Sequence, residues 1–94
     1  SDVYKRQGIE IQYYYKKLFF DELGFENLFG YLLWGNTNAY QLSRFFGAIE
    51  DKIVEIDGRK YVKMHTPATE FRKLSGDKLI NQFVRFNKQN PVKW

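Results

Sequence analysis

The chain has 94 residues and a formal net charge of +4, with 15 basic and 11 acidic side chains. It has no cysteine and one histidine, His65, which excludes a disulfide framework and argues against a metal centre. No apolar run approaches the roughly 20 residues of a membrane span, and the first residues lack the apolar segment of a signal peptide. These features predict a soluble, cytoplasmic protein without a metal ion or a membrane partner.

The first half of the chain alternates helix and strand patterns. Apolar spacing predicts a helix over residues 9–23, with Lys16 and Lys17 on its solvent side and Gly24 as a left-handed C-cap. The almost continuous apolar run over 25–34 predicts a strand buried on both faces. A second, shorter helix is predicted over 37–46, where Gly47 ends it.

A hairpin follows the second helix. Alternating residues over 49–56 and 59–64 flank Asp57-Gly58, which is a strong signal for a two-residue type I′ turn. After Met64 the spacing becomes helical again, up to about residue 86, and residues 87–94 are predicted to be a loose tail.

The order of elements predicts an α/β or α+β sheet with helices packed on it. Only three strands are visible, and a strand buried on both faces needs neighbours on both sides. We therefore expect the C-terminal part of a larger domain over residues 1–64, followed by a basic helical extension and tail over residues 65–94. Six basic residues and one acidic residue lie between Arg72 and Trp94. Whether residues 1–7 are native is left open.

The segment from Asn36 to Gly47 carries the most specific pattern. A small residue, Ala39, stands three positions after Asn36, an aliphatic residue, Leu42, six positions after it, and Gly47 eleven positions after it. This spacing resembles the last conserved motif of the GCN5-related N-acetyltransferases, the GNAT superfamily. The resemblance covers about residues 5–64. It implies the C-terminal part of the mixed sheet of an acyl-CoA N-acyltransferase.

The resemblance also implies a pyrophosphate loop directly before the first helix. Gly8 and Ile9 fit the family's loop pattern, and Lys5 stands where Gln or Arg is usual. Glu10 departs from the Gly or Ala of the family and would add negative charge beside a phosphate. The resemblance assigns Gln7, Gly8, Ile9 and Glu10 to the coenzyme. The alternative is a basic N-terminus that precedes an ordinary helix.

In the second motif, the resemblance implies that Asn36 contacts the pantetheine arm of acetyl-CoA and that Ala39 and Ser43 flank the coenzyme. Ser43 stands where many members of the family carry a tyrosine that protonates the departing thiolate. A serine hydroxyl is a poor general acid near neutral pH, which places the chain nearer the ribosomal-protein and nucleotide-sugar acetyltransferases. For Asn36, the structural alternative is a helix N-cap.

The resulting hypothesis is an N-acetyltransferase that transfers acetyl from acetyl-CoA to a substrate amine. We expect this chain to be a fragment that lacks the N-terminal strands and is inactive alone. The acceptor and the oligomeric state stay open. No general base is assigned, since the nearby acids are interpreted as surface residues: Glu26, Glu50, Asp51 and Glu55.

The alternative is a winged-helix nucleic-acid-binding module. The helix over 37–46 and the hairpin would then be its recognition helix and wing, with the basic C-terminal segment on phosphates. Nucleic acid is the less favoured partner, because Arg44 is the single basic residue of that helix.

Overall fold

The computed structural model describes the backbone of residues 2–94 and the side chains of residues 8–94. Residues 2–94 form an α+β fold with a three-stranded antiparallel sheet and four helices. The elements follow in the order α1 (Asp2–Lys17), a π-helical turn (Leu18–Glu22), β1 (Asn27–Leu33), α2 (Thr37–Phe45), β2 (Ile49–Ile56), β3 (Arg59–Pro67), α3 (Ala68–Phe71) and α4 (Leu79–Gln89). The predicted order of helix, strand, helix and hairpin is confirmed.

The sheet has the strand order β1-β3-β2, so that β3 is central. Asp57 and Gly58 connect β2 to β3 with φ angles of 50° and 77°. Both angles are positive, as a type I′ turn requires, and the predicted hairpin is confirmed. A register shift between Glu50 and Lys52 marks a bulge in β2.

All four helices contribute to one hydrophobic core on one face of the sheet. Ile9 of α1, Phe45 of α2, Phe71 of α3 and Phe83 of α4 belong to the same buried cluster. The predicted boundary after Met64 falls inside β3, which continues to residue 67, and α4 packs with α1 and α2. Ala68, Phe71, Leu79 and Phe83, which follow that boundary, share the buried cluster of the preceding elements.

The C-terminal residues are also packed. The ring of Trp94 lies 4.3 Å from that of Trp34 and 4.2 Å from that of Tyr40, between centroids. The prediction of a loose tail is wrong, since aromatic contacts hold its last residue against the end of β1 and the first turn of α2.

The burial of β1 differs from its prediction. Leu28 and Leu32 face the helices and are half-buried, whereas Phe29, Tyr31 and Leu33 point to the opposite face and are exposed. Phe29 is 70% exposed. An apolar run was expected to be covered on both faces, but the helices described here all lie on the same side of the sheet.

Candidate functional site

A groove of about 310 Å³ lies between α1, the π-helical turn, β1, β3 and α2. Its walls are largely apolar and include the side chains of Phe19, Leu28, Leu32 and Met64. Three polar side chains also line it: Lys16, Ser43 and Thr66. An apolar groove with a few converging polar groups is the usual form of a small-molecule site.

Of the three residues predicted at and after the start of α2, Asn36 and Ala39 are not among the residues that line this groove. Ser43 lines it. Asn36 lies at the start of the same helix, where its Oδ1 accepts a hydrogen bond of 3.2 Å from the backbone N–H of Ala39. Asn36 is thus an N-cap, which satisfies one of the otherwise unpaired N–H groups of the first helical turn. Ala39 is half-buried on that turn.

The predicted pyrophosphate loop is not a loop. Gly8, Ile9 and Glu10 lie inside α1, which begins at Asp2. Backbone N–H groups in a helix interior are bonded to the carbonyls four residues earlier and are not free to bind phosphate. Ile9 is 4% exposed and packs in the core, and the helix begins seven residues before the predicted start at residue 9. The side chain of Gln7 lies outside the described residues.

Lys16 is a groove-lining residue that the sequence interpretation missed. It was placed on the solvent side of the first helix, but it is half-buried and lines the groove. Its Nζ lies 4.8 Å from the ring centroid of Phe46, which is fully buried. The signal was present in the spacing: Lys16 follows Tyr13 by three residues and precedes Phe20 by four, and both rings are buried.

Burial affects the pKa of Lys16. Removal of its ammonium from water lowers the pKa of Lys16 below its ordinary value. The ion pairs among residues 8–94 are His65–Asp51, Arg72–Asp21 and Lys73–Glu70, and none of them supplies an acidic partner to Lys16. The contact with the Phe46 ring favours the ammonium and offsets part of the effect of burial.

The four nearby acids do not lie in the groove. All of them are exposed: Glu26, Glu50, Asp51 and Glu55. The Asp51 Oδ1 lies 2.7 Å from the Nδ1 of His65, on the surface. The Glu50 carboxylate faces Tyr40, where burial first and then the negative charge of Glu50 raise the pKa of the phenol.

The helix α2 does not have the exposure of a nucleic-acid recognition helix. Its exposed side chains are those of Thr37 and Asn38, at one end, and the rest are buried or half-buried. Arg44 is engaged within the fold, because its Nη1 donates a hydrogen bond of 2.8 Å to the Oε1 of Gln41. This geometry does not favour the winged-helix alternative.

Comparison of the chain with protein-family models, with curated protein sequences and with solved structures gives no match. Within the part of the chain that the structure describes, no three His, Asp or Glu side chains come together as a metal-ligand set. None of the helices in that part is both long and apolar enough to cross a bilayer.

Proposed function

We propose that the chain is part of an N-acetyltransferase of the GNAT type, which transfers acetyl from acetyl-CoA to a substrate amine. The observation that carries the proposal is the placement of α2. This helix begins at Asn36, directly after β1, and brings Ser43 to an open groove that β1 also lines. Asn36, Ala39 and Ser43 are the proposed coenzyme contacts.

The edge of β1 supports the addition of further strands. Trp34 N–H donates to the carbonyl of Lys60, and Ala68 N–H donates to the carbonyl of Glu26. Main-chain groups alternate in direction along an antiparallel pair, so the even-numbered residues of β1 bond to β3. The main-chain N–H and C=O groups that point to the opposite, outer edge are those of four residues: Asn27, Phe29, Tyr31 and Leu33. We propose that N-terminal strands of the intact enzyme lie at this edge, and that the chain alone is inactive.

The chemistry would be direct attack of the acceptor amine on the acetyl thioester. Acetyl-CoA serves as co-substrate, and the protein contributes chiefly by holding the thioester and the amine in reactive geometry. Ser43 lines the groove, and a serine hydroxyl can donate a hydrogen bond. It is too weak an acid to protonate the leaving thiolate efficiently near neutral pH.

The test is calorimetry with acetyl-CoA, on the chain alone and on a protein in which the upstream strands are restored. We expect weak or no heat with the chain alone and clear binding by the completed protein. In the completed protein, Asn36→Ser keeps an N-cap oxygen but removes the amide. It should weaken binding by about 0.5–1.5 kcal/mol, the size of one net hydrogen bond.

The Asn36→Ser variant should unfold in urea like the parent protein, which separates the loss of a coenzyme contact from the loss of the cap. Absence of heat with the completed protein would contradict the proposal. Salt-dependent binding of duplex DNA in the same protein would favour the winged-helix alternative instead.

A further inference from the structure

The amine of Lys16 differs from an ordinary surface lysine in position and in surroundings. Lys16 lines an open groove together with two hydroxyl-bearing residues, Ser43 and Thr66, and its Nζ lies 4.8 Å from the ring centroid of Phe46. Thr66 is buried, on the central strand. The neighbouring Lys17 is exposed and does not line the groove.

We propose that Lys16 is a site of covalent acylation, where its amine attacks small acyl thioesters that enter the groove. The ligand class follows from the lining. The apolar walls accept a short acyl chain, and the hydroxyls of Ser43 and Thr66 are donors for the carbonyl oxygen of a thioester. The inference goes beyond the proposed function, because it needs neither a coenzyme site nor an external acceptor.

The reaction balances without any further reagent. The lone pair of the neutral amine attacks the thioester carbonyl carbon, so that a C–N bond forms and the C–S bond breaks. The sulfur leaves as a thiolate, and the proton lost by the amine nitrogen passes to that thiolate or to water. The products are an amide at Lys16 and a free thiol.

Burial favours both the reaction and its product. It lowers the pKa of Lys16, so a larger fraction of the amine is neutral and nucleophilic near neutral pH. The resulting amide carries no charge, and it removes a half-buried ammonium that has no acidic partner among residues 8–94.

The experiment uses the 94-residue chain and the acetyl thioester of N-acetylcysteamine, a small thioester without a nucleotide. After incubation near neutral pH, peptide mapping by mass spectrometry gives the initial acetylation rate at each lysine. We expect Lys16 to be acetylated several-fold faster than Lys17, and the difference to vanish in concentrated urea. Equal or slower acetylation at Lys16 in the folded chain would overturn the inference, and so would a preference that persists in urea.

Two variants define the role of the groove. Lys16→Arg keeps the cation but should abolish the fast acetylation, with the rate at Lys17 unchanged. Ser43→Phe is expected to fill the groove and to lower the rate at Lys16 toward that at Lys17. An undiminished rate in a Ser43→Phe protein with native circular dichroism would contradict entry through the groove.

A parallel incubation with acetyl-CoA separates this inference from the proposed function. Preferential acetylation of Lys16 by the small thioester supports the inference, whatever the coenzyme does. If Lys16 is acetylated by acetyl-CoA but not by the small thioester, the inference is overturned. That result would show that recognition of the nucleotide, and not the groove, directs the reaction.

Discussion

Phe83 on α4 provides the most direct test of a single folded unit. Its side chain is 9% exposed, and its ring centroid lies 5.3 Å from that of Phe45 on α2. Substitution of a core Phe by Ala costs about 3–5 kcal/mol. A domain of this size is stabilised by only about 5–15 kcal/mol in total. Because α4 lies near the end of the chain and can relax, we expect Phe83→Ala to lower the free energy of unfolding by about 3 kcal/mol.

The assay is urea unfolding at equilibrium, followed by circular dichroism and by the fluorescence of Trp34 and Trp94. Val84→Ala is the matched control, because Val84 is next to Phe83 on the same helix and is 48% exposed. A surface substitution of this kind is expected to change the free energy of unfolding by no more than about 0.5 kcal/mol. Equal unfolding free energies for the two variants would refute the shared core and would support the predicted division between residues 1–64 and 65–94.

Three further outcomes are expected. Gly58→Val should lower the melting temperature, because a β-branched residue resists the positive φ of 77° at the turn, and unchanged melting would refute the type I′ assignment. Gly8→Ala should stabilise the protein by about 0.5–1 kcal/mol, since Gly8 lies inside α1 and an added Cβ meets nothing within 4 Å; a loss of stability in urea unfolding would contradict the helical assignment. Tyr40 should ionise at a higher pH than an ordinary tyrosine, as measured by the difference in phenolate absorbance between the parent chain and Tyr40→Phe. Its raised pKa means that the folded state holds more protons than the unfolded state above about pH 10, so Tyr40 contributes stability that is lost as the pH rises above that value.

The elements that the sequence predicts well are those set by local chemistry. The Asp57-Gly58 turn needs two positive φ angles, and few dipeptides adopt them without strain. Gly24 likewise adopts a positive φ of 73° after the π-helical turn, as expected of a residue that ends a helix. Helix and strand identity in the first 64 residues followed from such signals together with apolar spacing.

Burial could not be predicted in the same way, because it depends on which elements stack on which face. The run over 25–34 is apolar enough for a strand covered on both sides, yet all the described helices lie on one side of the sheet. The helical spacing after residue 77 predicted α4 but not its packing against α1 and α2. These are contacts between residues that are distant in the sequence, and no local pattern specifies them.

The candidate site also depends on contacts that no local sequence pattern specifies. The motif around Asn36 predicted where α2 begins, whereas the groove is lined by residues of α1, the π-helical turn, β1, α2 and β3, which are distant in the sequence. Lys16 was assigned to solvent on its charge alone. Its spacing from Tyr13 and Phe20 placed it on the buried side of the helix, and a long side chain can follow such a surface while its amine reaches a groove.

The two edges of the sheet differ in a way that bears on what the chain binds. β2 carries Glu50, Asp51, Lys52 and Glu55 and has a bulge between Glu50 and Lys52. Charges and bulges are the features that protect an edge strand from pairing. β1, at the opposite edge, has no charged residue between positions 27 and 33 and shows no bulge in its register with β3. An edge without protection favours a strand that pairs with it, and this asymmetry favours β1 over β2 as the edge at which the further strands of the proposed enzyme would pair.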